Sequence, residues 1–201
     1  MSLEYKGKGV GRDGFREIAG SHKGLDGRGW TTPPQADSLP TRILVRSGCD
    51  YRTMSEIVIR EATEEDLPAI LNAYAMAGIG GGADFTLEEA RAHFRGFSRY
   101  PNYRVFVAWE GGTLAGTYAL LILDKLAKRG ARAGIVEDVA VLPDRQGHGI
   151  GRAMMEHARA ECRAAGCYKM ALSSNLKREG AHRFYDALGF ERHGYSFVIE
   201  P

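Results

Sequence analysis

A glycine-rich turn from Gln146 to Arg152 has the residue types and spacing that point most directly to chemistry. Gly147, Gly149 and Gly151 alternate with other residues, and a run with helical apolar spacing begins inside the turn. Glycine lacks a Cβ atom and lets a phosphate approach the backbone, and unpaired N–H groups at a helix start attract anions. The turn therefore predicts a phosphate-binding site.

The spacing of these glycines excludes two common nucleotide-binding motifs. The third glycine, Gly151, comes too early for the dinucleotide pattern GxGxxG. No Lys-Ser or Lys-Thr pair follows the turn, as a P-loop would require. A tight strand-to-helix connection that binds nothing remains the alternative interpretation.

Two acids, Glu137 and Asp138, lie in an otherwise apolar strand-like run before the turn. In a regular strand Glu137 would share a face with Val139 and Val141, and Asp138 would point the other way. If a ligand lies along this strand, Glu137 is the better candidate for a base that accepts a proton from an amine. Either acid could instead be structural, paired with an arginine or with a backbone N–H.

A second polar and aromatic segment runs from Leu172 to Phe190 and contains Asn175, His182 and Tyr185. Tyr185 stands on a predicted helix, where it is either a core aromatic or a hydroxyl that can donate a proton. His182 comes one helical turn earlier and is a surface or capping residue, or an aid to proton movement.

The hydrophobic pattern predicts one α+β domain that positions these segments. Its elements follow the order strand, helix, helix, three strands, helix, strand, helix and a final strand pair around Phe190 and Phe197. We expect a mixed, mostly antiparallel twisted sheet of about seven strands, covered by about four helices. Pro68 should lie in the first turn of the first helix, and Thr86 with Glu89 forms a capping box for the second.

The first 53 residues differ from the rest of the chain. Glycines recur there without a helical or strand period, apart from the short run Ile43 to Val45. We expect residues 1–53 to be a disordered extension that need not belong to the native protein. Met54 is the candidate start, and residues 54–201 are the expected folded domain.

Composition excludes several classes of protein. A net charge of +2 over 201 residues is too small to favour a nucleic-acid partner. The sequence has no apolar run long enough to span a membrane, and its three cysteines form no CxxC pair. We therefore expect a cytoplasmic protein without a membrane or nucleic-acid partner, and without a metal site.

The turn and the second segment together resemble the GNAT superfamily of N-acetyltransferases. The family signature is Gln or Arg, two residues, Gly, one residue, and Gly or Ala, which Gln146, Gly149 and Gly151 match. The likeness extends from about Ile57 to Val198. Its other marks are Asn175, Phe184-Tyr185 and Gly189-Phe190.

This resemblance implies that acetyl-CoA is the acyl donor. The backbone around Val139 would bind the pantetheine arm, and the amides of the turn would hold the pyrophosphate. The implied cofactor-binding residues are Val139, Ala140, Val141, Gln146, Gly147, His148, Gly149, Ile150, Gly151, Arg152 and Asn175. Tyr185 becomes the candidate acid that protonates the leaving thiolate, and Glu137 becomes the candidate base.

The expected reaction moves an acetyl group to the primary amine of a small molecule by direct attack in a ternary complex. The strand and the second segment are similar to those of glucosamine-phosphate and aminoalkylphosphonate N-acetyltransferases. In the former an acid lies where Ser173 and Ser174 stand here, which weakens the amino-sugar interpretation. An anionic amine would find counter-charges in Lys177, Arg178 or Arg183.

Two alternative functions stay open on the sequence. One is acetylation of a protein, at a lysine or at an N-terminus, and the other is a non-catalytic acyl-CoA-binding sensor. Homodimers are common in the family, so a homodimer is compatible with the resemblance.

Overall fold

The computed structural model describes residues 40–46, 54–79 and 85–200. Within these residues, six strands form one sheet in the order β1 to β6, and only β5 and β6 run parallel. The strands are β1 (Thr41–Arg46), β2 (Met54–Glu61), β3 (Tyr103–Glu110), β4 (Thr113–Leu123), β5 (Arg132–Val141) and β6 (Cys167–Leu172). The expected mixed, mostly antiparallel α+β architecture is confirmed.

Four helices cover the two faces of this sheet: α1 (Leu67–Met76), α2 (Leu87–Gly96), α3 (Ile150–Ala164) and α4 (Glu179–Ala187). One core cluster contains the inner side of α3, where Ile150, Met154, Ala158 and Cys162 are buried as their helical spacing predicted. The other cluster packs Ile70 and Ala73 of α1 against the opposite face. None of the helices that the structure describes is long and apolar enough to cross a membrane.

The helix starts follow their predicted local chemistry. Pro68 lies in the first turn of α1, where its missing N–H leaves no helical bond unmade. Thr86 Oγ1 accepts from the N–H of Glu89 at 3.2 Å, and a carboxylate oxygen of Glu89 accepts from the N–H of Thr86 at 2.9 Å. This reciprocal capping box starts α2 where the sequence predicted it.

The capping box gives a testable stability effect. Thr86→Ala removes the side-chain acceptor and should lower the free energy of unfolding by about 1 kcal/mol. Urea unfolding followed by circular dichroism measures this loss. Glu88→Ala, in the same turn but outside the box, is the control. A loss for Thr86→Ala no larger than for the control would contradict the role of the box.

Two predictions about the ends of the sheet are wrong in the described residues. The final strand pair around Phe190 and Phe197 is absent, because residues 190–200 form no strand. Thr41–Arg46, inside the predicted extension 1–53, instead pairs antiparallel with β2 as a sixth strand. The sheet therefore begins before Met54, while residues 1–39 and 47–53 of the predicted extension lie outside the described residues.

Candidate active site

The parallel strands β5 and β6 separate halfway along β5. Their pairing ends at Val136 opposite Leu172, although β5 continues to Val141. From Glu137 onward, the edge of β5 that faces β6 has no strand partner among the described residues. Backbone groups on such an edge can bond an extended ligand. The separation also opens a pocket between the two strands, which we call the β5–β6 pocket.

A β-bulge at Asp138 changes the orientation of the acid pair. Asp138 has a φ of 52°, and the β4–β5 register shifts between Thr117 and Ala119. Glu137 pairs with Ala119, which belongs to the core cluster beneath α1, whereas Val139 packs against the cluster beneath α3. The expectation that Glu137 shares a face with Val139 and Val141 is therefore wrong, since the extra residue of the bulge interrupts the alternation.

The β5–β6 pocket nevertheless brings together the chemical groups predicted from two distant segments. It has a volume of about 520 Å³, within the usual range for small-ligand sites. The predicted site residues that line it are Glu137, Val139, Asn175 and Tyr185. Asp138, Ser173, Ser174, Lys177 and Arg178 also line it. Ala140 is buried beneath α1, so it can offer only backbone atoms to a ligand.

The glycine-rich turn lies beyond this pocket, between the end of β5 and the start of α3. Gly147 and Gly149 both have a φ of 82°, a left-handed conformation that favours glycine, and Gly149 caps α3. The N–H groups of Gly149, Ile150, Gly151 and Arg152 bond no other residue that the structure describes. Four unsatisfied donors at a helix N-terminus form a cradle for an anion.

Gly151 has a packing role besides its free N–H group. A Cβ atom at this position would meet the Phe184 ring at 3.0 Å, closer than ordinary contacts allow. Phe184 belongs to α4 and is the neighbour of Tyr185. The glycine thus lets α4 approach the first turn of α3, which joins the anion cradle to the helix that carries Tyr185.

Sequence reasoning missed Glu110, a buried acid beneath the turn. Its Oε2 accepts from Arg145 Nη1 at 3.1 Å and lies 3.5 Å from His148 Nδ1. Arg145 is therefore paired away from the cradle, and the side chain of His148 is directed toward Glu110. Glu110 is the last residue of an apolar strand and precedes a Gly-Gly turn. This position in the sequence does not indicate a contact with Arg145 or His148, which lie 35 or more residues later.

Tyr185 stands in an aromatic setting at one wall of the pocket. Its ring centroid lies 5.1 Å from that of Phe184 and 5.5 Å from that of Phe190. Burial raises the pKa of the Tyr185 hydroxyl, and the nearby charge of Arg178 offsets part of this effect. The hydroxyl therefore keeps its proton at neutral pH and can donate it.

The two acids are more basic than ordinary carboxylates. Burial raises the pKa of Glu137, and the charge of Asp138 raises it further. Burial also raises the pKa of Asp138. Because both residues line the β5–β6 pocket, either can accept a proton from a ligand there.

The loop between β6 and α4 is held by hydrogen bonds that fix Asn175. Asn175 Oδ1 accepts from the N–H of Lys177 at 2.9 Å. Its carbonyl oxygen lies 2.9 Å from His182 Nε2, so His182 acts as a capping residue rather than as a pocket group. Asn175 Nδ2 bonds no other described residue, and it can donate to a ligand.

The candidate counter-charges are not equivalent. Arg178 Nη2 donates to the carbonyl of Ala77 at 3.1 Å, which ties α4 to the end of α1. Arg183 lies 3.8 Å from Glu179 in an exposed ion pair and does not line the pocket. Lys177 lines the pocket and has no acidic partner among the described residues. The described residues also contain no cluster of three or more His, Cys, Asp or Glu that could hold a metal ion.

The chain is similar in sequence to known N-acetyltransferases. The chain is 36% identical over 90 residues to a glucosamine 6-phosphate N-acetyltransferase of Trypanosoma brucei brucei, covering 45% of this chain and 59% of the relative. The chain thus spans about three fifths of that relative's length. It is 29% identical over 156 residues to an aminoalkylphosphonate N-acetyltransferase of Salmonella typhimurium, covering 78% and 97% of the two chains.

The fold leads to the same group of proteins. The structure matches that of a Trypanosoma brucei acetyltransferase with a TM-score of 0.63 and 26% identity, covering 72% of this chain and 99% of the other. The model of the acetyltransferase (GNAT) family matches residues 67–190, which include β5, the glycine-rich turn and Tyr185. The resemblance drawn from the sequence is thereby confirmed. Because the match covers more than half of the 201 residues, the chain belongs to the acetyltransferase (GNAT) family.

Proposed function

We propose that the chain transfers the acetyl group of acetyl-CoA to the primary amine of a small acceptor that also carries an anionic group. The observation that carries this proposal is the separation of β5 from β6 after Val136. It opens an unpaired strand edge beside a pocket that is lined by two acids and by the protonated Tyr185. Direct attack in a ternary complex is the route we assign.

The residues present fit acetyl-CoA as the donor. The free N–H groups from Gly149 to Arg152 would hold the pyrophosphate, and the open edge of β5 from Glu137 to Val141 would bond the pantetheine arm. Asn175 Nδ2 would add a donor from the other wall. When bound, the donor supplies the thioester carbonyl that the amine attacks.

The acids would prepare the amine for attack. An amine with a pKa near 10.4 is mostly protonated at pH 7, and freeing its lone pair costs about 4 to 5 kcal/mol. Glu137 would accept that proton, directly or through water. The amine nitrogen then bonds the carbonyl carbon, and the carbon–sulfur bond breaks as Tyr185 gives its proton to the departing sulfur. The second proton of the nitrogen leaves through water and restores Tyr185.

Direct attack is favoured over a covalent enzyme intermediate by the state of the cysteines. Of the two that the structure describes, Cys162 is buried, and burial raises the pKa of its thiol to about 12. Burial also raises the pKa of Cys167. Neither thiol forms appreciable thiolate at neutral pH, and neither lines the pocket.

The anionic group of the acceptor is inferred from charge and from the relatives. Lys177 and Arg178 bring positive charge to a pocket that also has two acids, and Arg178 is bonded to the carbonyl of Ala77. The two relatives are named for acceptors that carry a phosphate or a phosphonate beside an amine. An amine between Glu137 and Asp138, with its anion toward Lys177, matches both observations.

The choice of Glu137 as the base makes a specific pH prediction. Asp138→Asn should keep most activity, because asparagine tolerates the positive φ at this position. The same variant should move the acidic limb of the profile of kcat against pH to lower pH. The sign follows because the charge of Asp138 raises the pKa of Glu137, and activity falls when Glu137 becomes protonated. Glu137→Gln should lower kcat about 100-fold above the acidic limb and should remove that limb.

Profiles of kcat against pH for the two variants and the wild type measure this difference. The pattern reversed, with Glu137→Gln active and Asp138→Asn inactive, would assign the base to Asp138 and contradict our choice.

A free-thiol assay with acetyl-CoA tests the proposed function itself. The panel contains aminophosphonates, amino sugar phosphates, polyamines, neutral amines and peptides with a free lysine or N-terminus. We expect the fastest thiol release with an amine that carries a phosphate or phosphonate. Release only with peptides would favour a protein acetyltransferase. No release with any amine, despite binding of acetyl-CoA, would favour a non-catalytic sensor.

A further inference from the structure

Glu110 is a buried carboxylate that contacts the glycine-rich turn on both sides of Gly147. Its side chain is 6% exposed, and its Oε2 accepts from Arg145 Nη1 at 3.1 Å. The same oxygen lies 3.5 Å from His148 Nδ1. Arg145 directly precedes the turn, and His148 stands between its first two glycines. One residue at the end of β3 therefore joins the sheet to two positions of the turn.

Stability alone does not account for this ion pair. The second carboxylate oxygen of Glu110, Oε1, is buried and bonds no other described residue. Arg145 Nε lies 3.4 Å from the exposed Asp144 and forms no hydrogen bond among the described residues. A buried ion pair with incomplete hydrogen bonding seldom offsets the cost of removing its charges from water. An apolar pair of similar volume would join β3 to the turn without that cost, so the charged pair points to a requirement of the turn itself.

The turn has few other contacts that fix its backbone. Gly147 and Gly149 both have a φ of 82°, and glycine loses more conformational freedom on folding than any other residue. The bond from the His148 N–H to the Arg145 carbonyl is long, at 3.4 Å. A loop that is ordered before its ligand arrives binds more tightly, because less freedom is lost on binding. The contacts with Glu110 provide such order beside the free N–H groups that begin at Gly149.

We propose that Glu110 is a positioning residue for the donor. Through Arg145 and His148, it holds the glycine-rich turn in the conformation that binds the pyrophosphate. This proposal rests on the proposed function, since it takes acetyl-CoA as the ligand of the turn. Glu110 acts through these two side chains and does not itself contact the donor. Its carboxylate also pairs the charge of Arg145, which leaves the pyrophosphate to the backbone N–H groups.

A variant that keeps the net charge beside the turn tests this role. Glu110→Gln/Arg145→Gln, the charge-balanced variant, removes one negative and one positive charge together. A change in its affinity for an anion therefore reports the lost contacts. The matched control is Arg104→Gln/Glu161→Gln, which neutralises a partly buried ion pair between the other end of β3 and α3. Both variants lose one such pair, so a general loss of stability is common to them.

Calorimetric titration with coenzyme A measures the expected loss of affinity. The Kd should rise about tenfold or more in the charge-balanced variant and stay within about twofold of the wild type in the control. In the thiol-release assay, the KM for acetyl-CoA should rise by a similar factor. The kcat at saturation should stay within about twofold, because Glu110 contacts neither the amine nor the sulfur.

Backbone ¹⁵N relaxation of the protein without donor measures the order of the turn itself. We expect order parameters of about 0.85 for the amides from Gly147 to Arg152 in the wild type and the control, and below about 0.6 in the charge-balanced variant. If that variant does not fold, His148→Ala gives the comparison. It removes one of the two contacts at a side chain that is 32% exposed, and it should raise the Kd about threefold.

The outcomes separate this proposal from the proposed function. A wild type and a charge-balanced variant that bind coenzyme A with the same Kd would overturn the positioning role alone. Turn amides that are equally ordered in both, or a control that loses as much affinity, would overturn it as well. A wild type that does not bind coenzyme A would overturn the proposed function together with this proposal.

Discussion

Tyr185→Phe is expected to lower kcat by about 100-fold or more while leaving the Kd for acetyl-CoA within about threefold of the wild type. The substitution removes only the hydroxyl, and the ring contacts with Phe184 and Phe190 remain. The departing sulfur would then have to leave as a thiolate, without a proton from the protein. The kinetics of thiol release together with calorimetric titration of acetyl-CoA separate the two effects.

The control for this variant is Tyr168→Phe, on the exposed side of β6 and outside the β5–β6 pocket. Its kcat should equal that of the wild type. If Tyr185→Phe keeps full turnover, Tyr185 is a packing residue of α4 and another group protonates the sulfur. If both kcat and acetyl-CoA binding collapse, the hydroxyl is needed to bind the donor and has no separate role as an acid.

Gly149→Val is expected to weaken acetyl-CoA binding about 100-fold or more. Gly149 has a φ of 82° at the cap of α3, a conformation that a β-branched side chain strongly disfavours. The backbone must shift, and the free N–H groups at the cap lose their common direction. A hydrogen bond to a charged group contributes about 1.5 to 3 kcal/mol, so losing two such bonds accounts for the expected change.

Gly111→Val is the matched control for backbone strain. Gly111 also has a positive φ, at 58°, in the β3–β4 turn, and a Cβ there would meet nothing within 4 Å. Both variants should lose stability, but only Gly149→Val should lose acetyl-CoA affinity in calorimetry. Equal affinities for the two variants would show that the turn does not hold the pyrophosphate.

Most of the fold could be predicted from the sequence because its signals are local. Helical spacing determined the buried face of α3, and the pairing of Thr86 with Glu89 determined the start of α2. The glycines of the turn indicated a backbone conformation that other residues disfavour. Gly147 and Gly149 adopt such a conformation, with positive φ values. Such features depend on a few neighbouring residues, so a single sequence contains them.

Local sequence signals did not predict the bulge at Asp138. The apolar and acidic residues of β5 are compatible with regular alternation, and the extra residue appears only when β5 is paired with β4. Its effect on the site is large, because it turns Glu137 toward the α1 side of the sheet and away from the face of Val139. Register between strands is a property of two segments at once.

The sequence did not predict the contacts of Glu110 and Arg178 either, because these contacts also depend on two segments at once. Each joins residues far apart in the chain, Glu110 with Arg145 and Arg178 with the end of α1. The absent final strand pair has a different origin. Residues 190–200 have the composition of a strand, but composition does not say which edge a strand will join.

The central claim is that the turn from Gln146 to Arg152 and the open edge of β5 hold the donor. Titration of ¹⁵N-labelled protein with coenzyme A, followed by the amide chemical shifts, tests it most directly. We predict the largest shifts at the amides from Gly147 to Arg152, with a second group from Val139 to Val141. Saturable shifts confined to other residues, or no shifts at millimolar coenzyme A, would contradict it.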